Sequence, residues 1–445
     1  VPLVDSKPNV VLIHCHDLGR RIGCYDRDVD TPALESLADD GAVFENHFVT
    51  APQCSPSRSS IHTGEFPHVN GLMGLAHGRW EIDDRFATLP AALAERGYET
   101  FLFGLQHAAK DPESLGFEHV FPGGARTSPV SPTDHAVNRA RDVARSFRSF
   151  LDNDPPTAPF FASLGFFEAH RVRLDDRYGF DDGNYETADP ADVEALPYLP
   201  DREGIRRDLA EMEGMIEAID AAVEVVLDTL DAAGLADDTL VVFTTEHGIA
   251  FPRAKGCCYD PGIEAALLLR YPGEIDGGER YDELVSNVDL FPTILEMVDG
   301  TVLDDVSGQS FLPLFTDQEH YPREIVFAEM TWHDRYNPIR ALRTERYKYI
   351  RSFWHLPDVY MTDDIMMSRA GRAVHEEFQT NPRPYAELYD LEADPYEREN
   401  LAEDDQYRHV RNELERRLVA WMRRTEDPLL SGPVPPADYD EITPW

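Results

Sequence analysis

Residues 8–19 read PNVVLIHCHDLG: four consecutive apolar residues, Val10 to Ile13, run into His14, Cys15, His16 and Asp17. A short apolar run without polar alternation is the pattern of a strand buried on both faces. The pattern returns as TFLFG at 100–104, PFFASLG at 159–165, TLVVFTT at 239–245 and AALLLRY at 265–271, with helical segments between. This alternation predicts an α/β fold, a large mostly parallel sheet sandwiched by helices. TLPAALAERGYET at 88–100 reads as one helix, with Thr88 as N-cap, Pro90 in the first turn and Gly97 as terminator. A longer helix is expected from Ile205 to Ala233, where Leu209, Met212, Ile216, Ile219, Val223, Val226 and Leu230 recur every three or four residues before Gly234. From about 325 the pattern turns β-rich (EIVFAEMTW, IRALRTERYKYIRSFW, AELYDLEADP), with a last helix near 404–423. Two domains are expected, 1–318 and a smaller C-terminal α+β domain at 319–445, an antiparallel sheet plus helix, divided in the polar TDQEHYPRE. The Asp-, Pro- and Gly-rich stretch 175–204 reads as an excursion near the active-site face.

Composition narrows the function classes. The chain has 445 residues, with 83 Asp and Glu against 41 Lys and Arg, and a formal net charge of -42. The acids are spread along it, and lysine occurs only as Lys7, Lys110, Lys255 and Lys348. We read this as adaptation to molar salt, where the Debye length is about 3 Å and self-repulsion is screened. No basic stripe exists to neutralise phosphates, which argues against a nucleic-acid partner. The five cysteines form no CxxC pair and fit reduced thiols. No stretch approaches 18 apolar residues and none reads as a signal peptide, so a cytoplasmic protein without a membrane partner is expected.

The stretch APQCSPSRSSIHTG at 51–64 places Cys54 just before an expected helix, with Ser55 as N-cap and Pro56 at the first helical position. Free N–H groups at such a helix start favour an anion on residue 54, and Arg58 one turn in suits a tetrahedral oxyanion. A buried structural cysteine before a capped helix is the other reading of these residues alone.

CSPSR at 54–58 resembles the C-x-P-S-R signature of the sulfatases, and matches to that family follow in order along the chain. PNVVLIHCHDLG resembles the opening strand that presents two adjacent metal ligands, and VVFTTEHG at 241–248 the second ligand strand. NG at 70–71, FGLQH at 103–107, FFEAHR at 166–171, RAKGCCYDPG at 253–262, NVDLFPTILE at 287–296 and ELYDLEADPYERENLAE at 387–403 continue the likeness. GIAFPRAKGCCYDPGIEAALLL and LVAWMRRTEDP are most similar to the N-sulfoglucosamine sulfohydrolase group.

The resemblance implies an alkaline phosphatase/sulfatase-like fold, with 1–318 as the catalytic domain. It implies that Cys54 is oxidised to formylglycine by a formylglycine-generating enzyme, and that the hydrated aldehyde attacks sulfur with one hydroxyl and expels sulfate with the other. One divalent metal ion is implied, held by His16, Asp17, Glu246 and His247, while Arg58 and Lys255 clamp the sulfuryl oxygens. For the leaving-group proton donor, His170 is the first choice and His107 the second. The adjacent Cys257 and Cys258 read as structural.

Two departures from the family pattern stand out. His16 and Glu246 replace aspartates, so calcium is implied by resemblance while two imidazoles lean toward manganese, zinc or iron. The lysine of the usual G-K-x-H is missing, its stretch filled by Leu105 and Gln106. The expected activity is hydrolysis of a sulfate ester or sulfamate on a small sulfated molecule or sulfated saccharide. The alternatives are a phosphomonoester, phosphodiester or phosphonate hydrolase on the same scaffold, or a sulfatase-derived binding protein without turnover.

Overall fold

The apolar runs become strands at the expected places. The structure, a computed structural model, describes residues 7–121, 137–181, 183–301, 303, 305–316 and 322–437. In chain order its strands are Asn9–Cys15 (β1), Ala42–Phe48 (β2), Glu99–Gly104 (β3), His119–Val120 (β4), Phe160–Gly165 (β5), Val172–Arg173 (β6), Tyr178–Gly179 (β7), Thr239–Thr245 (β8), Leu267–Arg270 (β9), Glu279–Ser286 (β10), Val326–Trp332 (β11), Tyr336–Arg343 (β12), Tyr347–Ser352 (β13) and Ala386–Asp390 (β14). Eight of them build one sheet in the order β10-β2-β9-β8-β1-β5-β3-β4. Neighbours in it are parallel except for the two pairs that β9 makes, with β2 and β8.

Alternate residues of β1 feed two different cores. Val11 and Ile13 join Phe147 of the helix Ala140–Asn153 and Leu209 and Ile216 of the helix Glu203–Ala232. Val10 and Leu12 join Ile61, Leu93 and Leu295, from helices on the opposite face. Both faces are therefore covered, which is why the run carries no polar alternation. The helix expected from 205 to 233 spans Glu203–Ala232, and the one after Thr88 spans Leu89–Glu95.

The second sheet, β11-β12-β13-β14, is antiparallel throughout. The helix Arg408–Arg424 lays Leu414, Leu418 and Trp421 on one face, against Phe327, Leu342, Tyr349 and Leu388. The Phe327 and Trp421 rings stack with centroids 4.6 Å apart. The other face contributes Ala328, Met330, Ile339, Ala341 and Ile350 to the same core as Ile13 and Phe243 of the first sheet. Buried polar contacts also link the lobes: Lys348, which pairs with Glu397 of its own lobe at 3.0 Å, reaches Asp260, and His68 bonds Glu329 at 2.7 Å. The domain boundary expected near 318 lies outside the described residues. Among the described residues no helix is long and apolar enough to cross a membrane.

Candidate active site

The site forms at the C-terminal tips of the central parallel strands, where an open α/β sheet leaves a crevice. Strands β1 and β8 run side by side with Cys15 opposite Thr245, so His16–Asp17 and Glu246–His247 emerge together. β5 pairs with β1 on the other side, ending at Gly165 opposite His14, and its loop carries His170. β3 follows, Gly104 opposite Gly165, and leads to His107. A Cβ on Gly165 would lie 1.7 Å from the Leu105 carbonyl oxygen, and one on Gly104 2.3 Å from that of Gly165. Only glycine permits this approach. Asp17 and His107 have left-handed backbone, φ 47° and 53°, a costly conformation for residues with a Cβ and one that clusters at functional sites.

Beyond β2 the chain enters the helix Cys54–Thr63. It starts at Cys54 itself, with Gln53 at the N-cap position, so Ser55 is not the cap. Pro56 sits at the third helical position, where its missing N–H is still one the first turn would leave unpaired. The Ser55 hydroxyl instead accepts from the Ala76 N–H at 3.0 Å. All ten residues of this polar helix are buried, which is tolerable because its hydroxyls find partners. Ser57 donates to the Glu246 carbonyl, Ser59 to Pro56 at 2.7 Å and Thr63 to Ser59 at 2.7 Å, while Thr50 and Ser60 share a 2.7 Å bond. Two asparagines buttress it. Asn287 donates to Ser57 and accepts from the Thr50 N–H, and Asn70 donates to Ser59 and Thr63. The NG and NVDLFPTILE matches thus mark supports of the helix.

Eight of the nine residues singled out in the sequence meet around Cys54. His107, His16, His170 and His247 all reach its thiol, and Lys255 adds a buried cation. Burial would raise the Cys54 pKa, but Lys255 and these imidazoles outweigh it and hold the thiol well below its ordinary value. Ligating atoms of His16, Asp17, Cys54 and His170 lie within 4.8 Å of one another, as do those of Asp17, Cys54, Glu246 and His247. The ninth residue, Arg58, lies behind the group. Its Nε pairs with Glu246 Oε2 and its Nη1 with His14 Nδ1, leaving Nη2 without a partner.

The two carboxylates are divided the same way. Asp17 gives Oδ2 to Lys255 at 2.9 Å and Glu246 gives Oε2 to Arg58, while Asp17 Oδ1 and Glu246 Oε1 have no hydrogen-bond partner. His247 turns Nδ1 to the Gly248 carbonyl at 2.8 Å, which puts one proton there, while Nε2 faces the carboxylates; burial disfavours a charged ring, but Glu246 and Asp17 outweigh it and raise the pKa, so Nε2 sits where a cation, a proton or a metal, is favoured. That nitrogen lies 3.2 Å from both orphaned oxygens, and His16 Nδ1 lies 2.8 Å from Glu246 Oε1. Two buried carboxylate oxygens crowded against two imidazole nitrogens, none of them in a well-formed hydrogen bond, favour a positive charge between them, and this donor set fits a divalent metal ion.

The two histidine candidates for proton donor differ in charge. Burial pushes His107 down to about 4, so it is neutral near pH 7, and its Nε2 lies 3.2 Å from His77 Nδ1. Burial and Lys255 also lower His170, but Asp17 and Cys54 outweigh them and leave it raised. Leu105 is fully buried in the apolar core, and the Gln106 side chain accepts from the Ala108 and Ala109 N–H groups. Neither supplies a cation in place of the missing lysine. Cys257 donates to the Tyr360 carbonyl at 3.3 Å, away from this group.

Several participants were not read from the sequence. His14 bonds Ser163 at 3.0 Å and accepts from Arg58; it stands in the opening strand, but nothing local marks it as different from a core histidine. Asp364 pairs with Lys255 at 3.0 Å, and His333 reaches Cys54 from the hairpin between β11 and β12. Both come from the second lobe, and no spacing ties them to the strand tips.

Residues 8–301, about two thirds of the chain, match the family model Sulfatase, and residues 246–368 match N-sulphoglucosamine sulphohydrolase, C-terminal. N-sulphoglucosamine sulphohydrolase of Homo sapiens is 27% identical over 476 residues, covering 97% of this chain and 93% of that relative. Among solved structures, a 2-O GAG sulfatase has a TM-score of 0.71 at 23% identity, covering 96% of this chain and 94% of its own. Phosphonate monoester hydrolase of Agrobacterium radiobacter has a TM-score of 0.71 at 21% identity, covering 94% and 96%. With the fold, the signature helix and the family match in agreement, the chain belongs to the sulfatase family of sulfuric ester hydrolases.

Proposed function

We propose that this chain hydrolyses a sulfate ester or sulfamate on a sulfated saccharide, with Cys54 converted to formylglycine and one divalent cation held by His16, Asp17, Glu246 and His247. The observation that carries the reading is the buried Cys54 at the first turn of its helix, facing four orphaned ligand atoms and a buried lysine. The saccharide class is supported by the full-length likeness to a sulphoglucosamine sulphohydrolase. When present, hydrated formylglycine supplies an oxygen nucleophile and the cation neutralises charge on the sulfuryl group.

The chain's own residues have separate tasks. Lys255, anchored by Asp17 and Asp364, holds positive charge beside residue 54 and faces the sulfuryl oxygens. His170 bonds the Arg171 carbonyl through Nδ1 at 2.6 Å, which aims Nε2 into the pocket to protonate the leaving oxygen or nitrogen. His107, being neutral, orients residue 54. Arg58 fixes the Glu246 carboxylate, and its free Nη2 is the nitrogen available to the nucleophile or substrate.

Intact-protein mass spectrometry of host-expressed material should show a mass about 18 Da below that of the unmodified chain. The same material should hydrolyse 4-nitrophenyl sulfate and sulfated glucosamine. An active enzyme with an unshifted mass overturns the formylglycine reading, and converted, metal-loaded protein inert to every sulfated compound overturns the hydrolase reading. The two imidazoles in the donor set favour a second reading, hydrolysis of a phosphate ester or phosphonate. Faster turnover of 4-nitrophenyl phosphate in a parallel assay would select it, and no turnover of either compound above that of Cys54→Ala would point to a binding protein.

A further inference from the structure

The positive charges around Cys54 are not equally free. Lys255 is committed to Asp17 and Asp364, and Arg58 to Glu246. His107 is neutral, and His170 is assigned to the leaving-group side. A tetrahedral oxyanion seated at residue 54 presents several peripheral oxygens, while Lys255 and Arg58 already share their charge with carboxylates.

His333 comes to the pocket from the β11–β12 hairpin. Its side chain is 8% exposed, its Nδ1 lies 3.1 Å from Asp334 Oδ1, and its ring reaches the Cys54 thiol. The hairpin is fixed from both sides. Asp334 Oδ2 accepts from the Asp363 N–H at 2.7 Å, Arg335 pairs with Asp363 at 2.6 Å, and the Trp332 N–H bonds the Met73 carbonyl at 3.2 Å. Nδ1 thus lies beside an anchored carboxylate without a closed hydrogen bond to it, and the ring stands at residue 54 where a ligand would sit.

We propose that His333, backed by Asp334, is a direct ligand of a peripheral oxygen of the transferred sulfuryl group, donating from Nε2. Burial disfavours the charged ring, but the Asp334 carboxylate beside it is the main cause that raises His333, and it remains as the counter-charge for an imidazolium once Cys54 is converted. The second lobe therefore contributes substrate-binding charge, and the assignment rests on the sulfatase reading above.

The test compares wild type with His333→Gln, His333→Lys and Asp334→Asn in the converted, metal-loaded enzyme, using inorganic sulfate as a competitive inhibitor of 4-nitrophenyl sulfate hydrolysis. His333→Gln should raise the sulfate inhibition constant about tenfold or more and lower kcat/KM about a hundredfold. His333→Lys should recover part of both losses, and Asp334→Asn should show a smaller loss of the same sign. A sulfate inhibition constant unchanged in His333→Gln overturns the proposal, including the case in which only substrates with poor leaving groups slow down. Equal loss in the Gln and Lys variants also overturns it, since a merely structural role predicts that. A wild type that hydrolyses no sulfate ester overturns the sulfatase reading, and this assignment falls with it.

Discussion

At the scale of single residues, the proposed ligands His16 and Glu246 carry the expectation for the metal. Each carries an unpartnered buried atom beside the other candidate ligands. Ligand softness predicts that manganese or zinc reactivates the chelated enzyme better than calcium. His16→Asp restores an oxygen donor and should shift the manganese-to-calcium ratio of reactivation about tenfold toward calcium, whose flexible shell takes carboxylates. An unchanged ratio would remove His16 from the ligand set. The local signals at these residues were legible because adjacent ligands at a strand tip share one short word of sequence. Asp364 and His333 were not, since a residue that completes a pocket from another lobe carries no nearby pattern.

At the scale of elements, the helix Cys54–Thr63 depends on its neighbours more than on its own sequence. Asn287 holds Ser57 and the Thr50 backbone at once, and Ser57 in turn bonds the Glu246 carbonyl. Asn287→Ala should lower unfolding free energy by about 1–3 kcal/mol, the cost of leaving buried partners unpaired, and should reduce turnover as well. Urea denaturation and a kcat measurement check both. The apolar strands β1, β3, β5 and β8 were readable because burial on both faces forces an uninterrupted apolar run. The direction of β9 was not, since a run of leucines is the same read either way. β2 and β10 escaped for a different reason. AVFENHF carries polar residues in mid-strand, and β10 lies at the sheet edge with its first five residues exposed or half-buried. The Ser55 cap failed because a hydroxyl that can cap can also bond another loop, as it does with Ala76.

At the scale of the whole molecule, the formal charge of -42 sets the conditions for folding. We expect the melting temperature to rise on the order of 10 °C between 0.1 M and 3 M potassium chloride as self-repulsion is screened. An unchanged value removes the reading of adaptation to salt. Acid should act through buried imidazoles. Burial pushes His47 down to about 4, so the unfolded chain takes up a proton as pH falls through 6.5 while the folded one does not. Stability is present above 6.5 and lost toward 4 at roughly 1.4 kcal/mol per pH unit for that group. His47→Asn keeps a donor for the Ala265 carbonyl and should flatten this part of the pH profile of urea midpoints. The same closed packing governs the life of the chain before it is finished. Cys54 is 1% exposed and the nine residues after it are buried with it, under side chains from the second lobe that emerge from the ribosome much later. On the proposed mechanism, an enzyme that converts this thiol must meet it before the chain closes around it, so the choice between active and inert protein would be made during synthesis and could not be revisited afterwards.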